Sequence, residues 1–325
     1  MGRFRMTTGA MLFAIAAGNL YGVDGVVLID QARALAGNVT PGDVPGFPVR
    51  ISLPGSYRLS GNLTVPDAFT HGFEVVVPDV TIDLNGFSII GPVSCTGGSF
   101  NEPPLSCTTS GNGRGITSVG HLTVTNGTIR GMGNHGIVAS ENCRIEKVHA
   151  ISNAANGFST LNGCVITDSV AMRNGTNGFF GQSGTFVGNT AYANKEAGFT
   201  CTNTCQISKA IASFNGTSGI AAGGGSVISG NSLFRNGNGI SVISSSAIGN
   251  TVQASTGIGI FSQSSLVKDN VVRSSTSYGL QISIESGYSG NILQDNNGGN
   301  ASPQIFPGVG SRNLGQNMCG TALCP

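Results

Sequence analysis

The side chains best suited to acid, base and cation chemistry gather near one column of a sequence repeat. Lys147 and Asp168 each follow a repeat glycine by eleven residues, and His149 comes two residues after Lys147. A polysaccharide lyase or epimerase needs a cation against a uronate carboxylate, a base for the C5 proton, and an acid for the leaving oxygen or the opposite face. Arg130, Lys147 or Arg173 could supply the cation, and His149 with Asp168 could share the acid and base roles.

Each of these residues also has a structural interpretation, which is the stronger one for each residue taken singly. Lys147 opposite Asp168 predicts a surface ion pair between stacked repeats, worth up to about 1 kcal/mol. Counting from the repeat glycines places Asn126, Asn189 and Lys209 in the same column. Both interpretations require that neighbouring repeats stack in register.

Residue type and spacing disfavour several other activities. The regular repeats contain no adjacent Asp-Asp pair, which argues against inverting hydrolysis by clustered aspartates and against a calcium site of stacked aspartates. The cysteine spacings match no zinc finger, and neither a metal nor a cofactor is predicted. Nucleic-acid binding is not expected, because the sixteen Lys and Arg residues are spread along a chain of net charge +1. His71, His121 and His135 have no evident partners and are predicted to be solvated turn residues.

Aromatic residues offer little sign of a sugar-binding surface in the sequence. The chain has no Trp and five Tyr, and the periodic Phe158, Phe179 and Phe199 are predicted to point inward as core residues. Any contact with a polysaccharide is therefore expected through Asn, Ser and Thr along a groove.

The element that must position these residues is a repeat of 20 or 21 residues. It is marked by a glycine followed by an apolar residue at Gly115, Gly136, Gly157, Gly178, Gly198, Gly219, Gly239, Gly259 and Gly279. A fixed period of this size indicates a solenoid, in which each repeat buries its apolar face against the next one. Apolar residues seven and nine positions after the glycine, such as Cys143 and Ile145, show the two-residue period of short strands.

The fold predicted from this pattern is all-β, a right-handed parallel β-helix with about 20–21 residues per rung and a small N-terminal cap. The asparagines Asn153, Asn174, Asn194, Asn215 and Asn236 recur in the same period. Asparagine tolerates left-handed turn conformations, and stacked amides can hydrogen-bond along a column. This column is therefore predicted to form turn ladders rather than ligand contacts.

The chain divides into five predicted segments. Residues 1–22 resemble a signal peptide, with Arg3 and Arg5 before an apolar run too short for a membrane span of about 20 residues. Residues 23–92 are predicted to form an N-terminal cap, with a helix at Asp30 to Ala36, and the first irregular rungs. Residues 93–112 are an inserted loop and a candidate lid or groove wall, residues 113–299 are the regular β-helix, and residues 300–325 cover the far end.

Eight cysteines fit an exported protein of an oxidising compartment, either secreted or periplasmic. Three local disulfides are predicted because each pair brackets a short loop: Cys95 with Cys107, Cys201 with Cys205, and Cys319 with Cys324. Cys143 and Cys164 lie one repeat apart, which allows either a bridge between adjacent rungs or two buried free thiols.

The tandem Asn-x-x-Gly-apolar units from Gly113 to Gly299, preceded by the Val-Thr-Ile-Asp-Leu-Asn-Gly-Phe segment at Val80 to Phe87, resemble the right-handed parallel β-helix repeat proteins. That superfamily includes pectate lyases, polygalacturonases, alginate epimerases and periplasmic proteins without catalysis. The resemblance covers about two thirds of the chain and implies the fold. It does not specify the function, because proteins with this fold have many different activities.

Two functional hypotheses follow. In the first, the protein is exported and binds or modifies a polysaccharide, with acidic polymers among the candidates; if it is an enzyme, it is a lyase or epimerase rather than a hydrolase. In the second, it is a non-catalytic structural, adhesin or assembly protein of the cell surface or periplasm. The expected partner is a polysaccharide or cell-surface glycan, and an integral membrane protein is not expected.

Overall fold

Parallel strands stack into a solenoid of about 12 turns. The computed structural model describes residues 25–98, 105–108 and 110–324, so the predicted signal peptide lies outside the described residues. Each regular rung contributes three short strands, and we call the three resulting surfaces face 1, face 2 and face 3, in chain order after the repeat glycine. The predicted all-β solenoid is confirmed.

Face 1 is a parallel sheet of twelve strands. Its strands are Val49–Ile51, Phe73–Val75, Ile116–Ser118, Ile137–Glu141, Phe158–Asn162, Phe179–Gly181, Phe199–Cys201, Ser218–Ala222, Asn238–Ile243, Ile260–Gln263, Leu280–Ile282 and Ile305–Pro307.

Faces 2 and 3 belong to one larger sheet that bends at each rung. Face 2 contains Val27–Ile29, Gly55–Leu59, Val80–Asp83, Cys164–Thr167, Gly184–Val187, Cys205–Ser208, Val227–Ser229, Ser246–Ile248, Leu266–Lys268, Gly287–Ser289 and Arg312–Asn313. Face 3 contains Leu63–Thr64, Ser88–Ile90, Val170–Met172, Thr190–Tyr192, Ile211–Ser213, Ser232–Phe234, Thr251–Gln253, Val271–Arg273, Ile292–Gln294 and Met318–Cys319. The long strands Leu122–Arg130 and Arg144–Ile151 run through both faces.

Two non-repetitive segments lie near the N-terminal end. The helix Gln31–Ala36 begins where the Asp30 side chain accepts a hydrogen bond from the Arg33 N–H at 2.8 Å, which satisfies one of the free N–H groups of the first turn. In the inserted loop, the strands Cys95–Thr96 and Ser106–Cys107 form an antiparallel hairpin. At the C-terminal end, Met318–Cys319 pairs antiparallel with Ala322–Leu323. No helix among the described residues is long and apolar enough to cross a membrane.

The core runs along the axis as columns of identical or similar residues. Phe158, Phe179 and Phe199 stack with ring centroids 4.8 and 4.7 Å apart, which confirms their predicted inward direction. The repeat glycine is needed for close packing: a Cβ on Gly178 would lie 2.7 Å from the carbonyl oxygen of Gly198. Any larger residue would therefore push neighbouring rungs apart.

The predicted asparagine column is a buried hydrogen-bonded ladder from Asn153 to Asn236. From Asn174 onward, each Oδ1 accepts from the backbone N–H and the side-chain Nδ2 of the asparagine one rung before it, as Asn215 does from Asn194 at 3.1 and 2.9 Å. Residues just before these asparagines, among them Phe214, form what we call the 3–1 corner, and they have positive φ. The ladder therefore satisfies the buried polar groups of this corner and holds its shape.

A second ladder lies at the corner between faces 2 and 3, which we call the 2–3 corner. It runs through Asn231, Asn250, Asn270, Asn291 and Asn317. Asn189 belongs to this inner column, with its Oδ1 accepting from the Ser169 N–H at 2.9 Å, so its predicted place beside Lys147 and Asp168 is wrong. Gly188 occupies that outer place with φ of 68°, because this rung is one residue shorter.

All eight cysteines are paired as disulfides. The three predicted local pairs are confirmed: Cys95–Cys107, Cys201–Cys205 and Cys319–Cys324. Cys143 and Cys164 form a bridge between adjacent rungs with their Cα atoms 4.4 Å apart, which decides between the two alternatives for this pair. Four disulfides are typical of a protein in an oxidising compartment.

Candidate functional site

Lys147 and Asp168 lie opposite each other at the 2–3 corner. The register pairs Glu146 with Thr167 and His149 with Val170, which brings the two corner residues onto adjacent rungs about 4.8 Å apart. Both have positive φ, of 55° and 48°. The stacking on which the predicted site depends is therefore present.

The charge of Lys147 is directed at its sequence neighbour. Its Nζ lies 3.5 Å from Oε1 of Glu146, whose Oε2 lies 3.0 Å from Nη2 of Arg144. The hydrogen bond from Arg144, followed by that from Lys147, lowers the pKa of Glu146. Within the described residues no ion pair joins Lys147 to Asp168, so the inter-rung pair is replaced by one along the chain.

His149 and Arg130 lie on the outer surface of face 3, and Arg173 lies at its far edge. His149 is exposed and stacks between Thr128 and Val170. Arg130 is diagonal to it, because its register partner Ile151 lies two residues beyond His149. Arg173 occupies the 3–1 corner, across the width of face 3 from Asp168. The structure thus brings His149, Lys147 and Asp168 to one edge and separates Arg173 from them.

An aromatic row that the sequence reasoning missed lies further along face 3, with Phe234 exposed and Tyr192 and Phe214 half-buried. Tyr192 and Phe234 occupy one outward column of the strands, and Phe214 lies on the adjoining corner. The ring centroids of Tyr192 and Phe214 are 5.5 Å apart, and those of Phe214 and Phe234 are 5.7 Å apart. The guanidinium of Arg235 lies 5.2 Å from the centre of the Phe234 ring, within cation–π distance.

Phe214 adopts φ of 59°, a backbone conformation that is rare for a bulky residue. Gly131, with φ of 69°, shows that glycine is accepted at the same position of the 3–1 corner, and glycine would avoid the steric cost of about 1–2 kcal/mol. Strain of this kind at a surface position is a reason to consider function.

Positive charge prevails on face 3 and its two corners. The cations there are Arg130, Lys147, Arg173, Lys209, Arg235 and Arg273, and the carboxylates are Asp168, Asp269 and Asp295. The inserted loop flanks the same surface: a Cβ on Gly98 would come within 3.1 Å of the carbonyl oxygen of Ala193, which lies between Arg173 and Phe214 in the corner column.

Comparison with known proteins agrees with this architecture. A family model described as a right-handed beta helix region matches residues 112–256. The chain has the fold of a right-handed parallel β-helix. No curated protein sequence matches it.

Two solved structures illustrate the likeness of this β-helix in shape. One is the catalytic unit of the thermostable GH87 alpha-1,3-glucanase from Streptomyces thermodiastaticus strain HF3-3, with 14% identity, a TM-score of 0.58 and coverage of 85% of this chain. This chain spans 64% of that catalytic unit. The other is the A-module of the mannuronan C-5 epimerase AlgE6 from Azotobacter vinelandii, with 17% identity, a TM-score of 0.50, and coverage of 74% of this chain and 78% of that module.

Two open grooves of this β-helix lie away from face 3, where face 1 turns into face 2. The larger, of about 510 Å³, is lined by small and polar residues such as Ser183, Thr185 and Thr204. The smaller, of about 430 Å³, contains His121, whose Nδ1 lies 3.2 Å from Oδ1 of Asp79. His121 is exposed as predicted, and Asp79 is the partner that the sequence did not reveal.

The prediction that His71 and His135 are solvated turn residues is wrong. Both are half-buried at the start of face 1, and the Nδ1 of each accepts a backbone N–H, from Arg114 at 3.0 Å and from Asn156 at 3.1 Å. Burial, with a further contribution from the Arg114 charge, lowers the pKa of His135 to about 4 and also lowers that of His71. Both imidazoles are therefore neutral at pH 7.

Proposed function

We propose that this β-helix binds an acidic polysaccharide along face 3, with Tyr192, Phe214 and Phe234 as the platform. The observation that carries the proposal is this row of three contacting rings on the outer surface, which lies between Arg173 and Arg235 in the corner column. The C–H face of a sugar ring packs on an aromatic ring, while a guanidinium donates two parallel hydrogen bonds to a carboxylate.

The dimensions of the row suit a chain rather than a single sugar. From Arg173 to Arg235 the corner column crosses three rung steps, about 14 Å along the axis. The outward column of the strands continues past Phe234 through Gln253 and Arg273 on the next two rungs, so a polymer can extend along the axis in that direction. The excess of cations over carboxylates on face 3 favours a polymer that carries acidic groups.

The residues predicted to do chemistry lie on the path of such a polymer. His149 is on the same face as Tyr192 and two rungs away, with Lys147 and Asp168 at its edge. In this part of the proposal His149 and Asp168 act as base and acid on a uronate residue, and Arg130 or Lys147 neutralises its carboxylate. Arg173 belongs to the binding row instead, because face 3 separates it from Asp168.

The nature of the similar structures supports a polysaccharide as the ligand. One is an alpha-1,3-glucanase and the other a mannuronan epimerase, and both place their activities on a fold of this shape. The four disulfides and the signal-like N-terminal sequence support action outside the cytoplasm, in the periplasm or after secretion.

The binding part is tested with a double variant, Phe214→Ala with Phe234→Ala, in affinity electrophoresis or calorimetry on a panel of uronate and neutral polysaccharides. Such residues cost about 2 kcal/mol each, so loss of two stacking rings at the centre of a binding surface should weaken affinity by about 4 kcal/mol, roughly 1000-fold. Phe261→Ala removes a half-buried ring from face 1 and is the matched control, with expected affinity close to wild type. Equal affinity in the double variant and wild type would refute the platform.

The catalytic part is tested on the same panel by following unsaturated products, new reducing ends and the ratio of uronate epimers together. Activity that disappears in His149→Ala or Asp168→Ala, with circular dichroism unchanged, would establish the site. Binding without any product would leave a carbohydrate-binding protein and reject these residues as catalytic. Neither binding nor product would favour the structural or adhesive alternative.

A further inference from the structure

A second polar cluster lies on a different surface, where the chain enters face 1. His71, Arg114 and His135 each precede a glycine of this face, and they follow one another on consecutive rungs. All three are half-buried and so remain reachable from solvent. The proposed function on face 3 does not use them.

The column has a regular pattern that Arg114 interrupts. His71, His135, Asn156 and Asn177 each place a side-chain acceptor against the backbone N–H of the next rung, at 3.0 to 3.2 Å. A guanidinium has no acceptor, so Arg114 cannot do this for the N–H of His135. A cation at this place therefore weakens the column that it belongs to.

The two imidazoles present donors towards their free edges. Each is neutral at pH 7 and accepts a hydrogen bond at Nδ1, so the ring proton must be on Nε2. Arg114 adds further donors: its Nε is buried and has no hydrogen-bond partner among the described residues, while Nη1 reaches only Thr117 Oγ1, at 3.4 Å. The cluster is thus rich in donors and short of acceptors.

The nearby carboxylate is already engaged elsewhere. Glu74 lies close enough to influence His71, but its Oε2 is 2.7 Å from Nη1 of Arg50. Among the described residues, Arg114 acts on both histidines and Glu74 acts on His71, while Arg50 is the ion-pair partner of Glu74. A buried or half-buried guanidinium without an acidic partner is costly, and an oxyanion would satisfy it.

We propose that His71, Arg114 and His135 form a binding site for an oxyanion, a carboxylate, sulfate or phosphate group. The guanidinium supplies the charge and paired donors, and the Nε2–H groups of the histidines donate from either side. The anion can be a free ion or an acidic substituent of a polymer, since both present the same oxygen atoms.

The chain offers a direct probe, because it has only four histidines. Inorganic sulfate is titrated against chloride at constant ionic strength, while the imidazole signals are followed by NMR. Saturable shifts are expected for His71 and His135, with His121 as the internal control for general salt effects. The shifts should vanish in Arg114→Asn, which removes the guanidinium and supplies the side-chain acceptor that Asn156 and Asn177 supply in later rungs.

Arg144→Asn is the matched control for the loss of one positive charge, and it should titrate like wild type. His135→Asn keeps the acceptor for the next rung and should weaken sulfate binding several-fold without unfolding the protein. The proposal is overturned if all four histidines shift in parallel, if none shifts, or if Arg114→Asn retains the saturable response.

A second titration separates the two sources of the anion. Glucuronate and a uronate polymer are compared at equal carboxylate concentration, and an acidic substituent is identified if only the polymer gives the shifts at low concentration. This site and the platform of face 3 are independent. The double variant Phe214→Ala with Phe234→Ala should therefore keep the sulfate response, and Arg114→Asn should bind polysaccharide on face 3 with the affinity of the wild type. Failure of one proposal therefore leaves the other open to its own test.

Discussion

Replacing Asn215 by alanine tests whether the asparagine ladder holds the corner that carries the aromatic row. Asn215 is 1% exposed, and its side chain makes four hydrogen bonds. Its Oδ1 accepts from the N–H and Nδ2 of Asn194, and its Nδ2 donates to the Ala191 carbonyl and to Asn236 Oδ1. The substitution removes all four and leaves a buried backbone N–H without its partner.

The expected loss follows from these contacts. A buried hydrogen bond contributes about 1 kcal/mol net, and an orphaned buried donor costs about 1–3 kcal/mol. Because Asn194 Nδ2 and Asn236 Oδ1 each keep another partner, we expect a decrease of about 4 kcal/mol in the free energy of unfolding. Phe214 directly precedes Asn215, so polysaccharide affinity should fall as well.

The assay is equilibrium urea unfolding followed by far-UV circular dichroism with disulfides intact, compared at equal m-value. Asn203→Ala is the matched control, since Asn203 is exposed and its side chain makes no hydrogen bond among the described residues; it should change stability by less than about 0.5 kcal/mol. Hydrogen exchange should show the loss of protection centred on the rungs beside Asn215. A loss below about 1 kcal/mol in Asn215→Ala would refute the ladder as a major source of stability.

Three further outcomes are expected. Ser255 and Ser275 occupy the ladder position on the two rungs after Asn236, and their buried hydroxyls have no hydrogen-bond partner among the described residues. Replacing both with Asn should raise the free energy of unfolding by about 1–2 kcal/mol. A fall measured by urea unfolding would show that the rungs cannot accommodate the larger side chain. The pKa of His135 is about 4 in the folded protein and about 6.5 in the unfolded chain, so the unfolded chain binds the proton first as the pH falls. The free energy of unfolding should therefore drop by about 2 kcal/mol between pH 7 and pH 4. Unfolding measured as a function of pH should show a smaller drop in His135→Asn. Replacing Cys143 and Cys164 together with Ala should lower the free energy of unfolding by about 3 kcal/mol, because the disulfide cross-links residues 21 positions apart. An unchanged midpoint of thermal unfolding would contradict this prediction.

The parts of the fold that were predictable are those in which one residue position repeats. The glycine and the phenylalanine columns follow a step of 20 or 21 residues, and close packing between rungs imposes the same residue at each step. The second ladder, with Asn250 and Asn270, was harder to find because rungs differ in length by one residue. The number of residues between the repeat glycine and the ladder asparagine therefore varies from rung to rung. Asn189 was misplaced for this reason.

The candidate binding surfaces were less predictable, because they combine different columns. Tyr192, Phe214 and Phe234 are 22 and 20 residues apart, and they come from a strand and from the corner that follows it. Their rings meet only because the chain bends at that corner. His71 is separated from Arg114 by 43 residues, since the inserted loop interrupts the repeat between them.

The sequence by itself determined the solenoid, its period, the inward direction of the core phenylalanines and three of the disulfides, because each depends on contacts between equivalent positions of neighbouring repeats. The tertiary structure decided the pairing of Cys143 with Cys164, the partner of Lys147, and the gathering of the aromatic row on face 3. These depend on where side chains at non-equivalent positions point after each corner. Such directions are set by backbone dihedrals and rung length, and no repeat in the sequence records them.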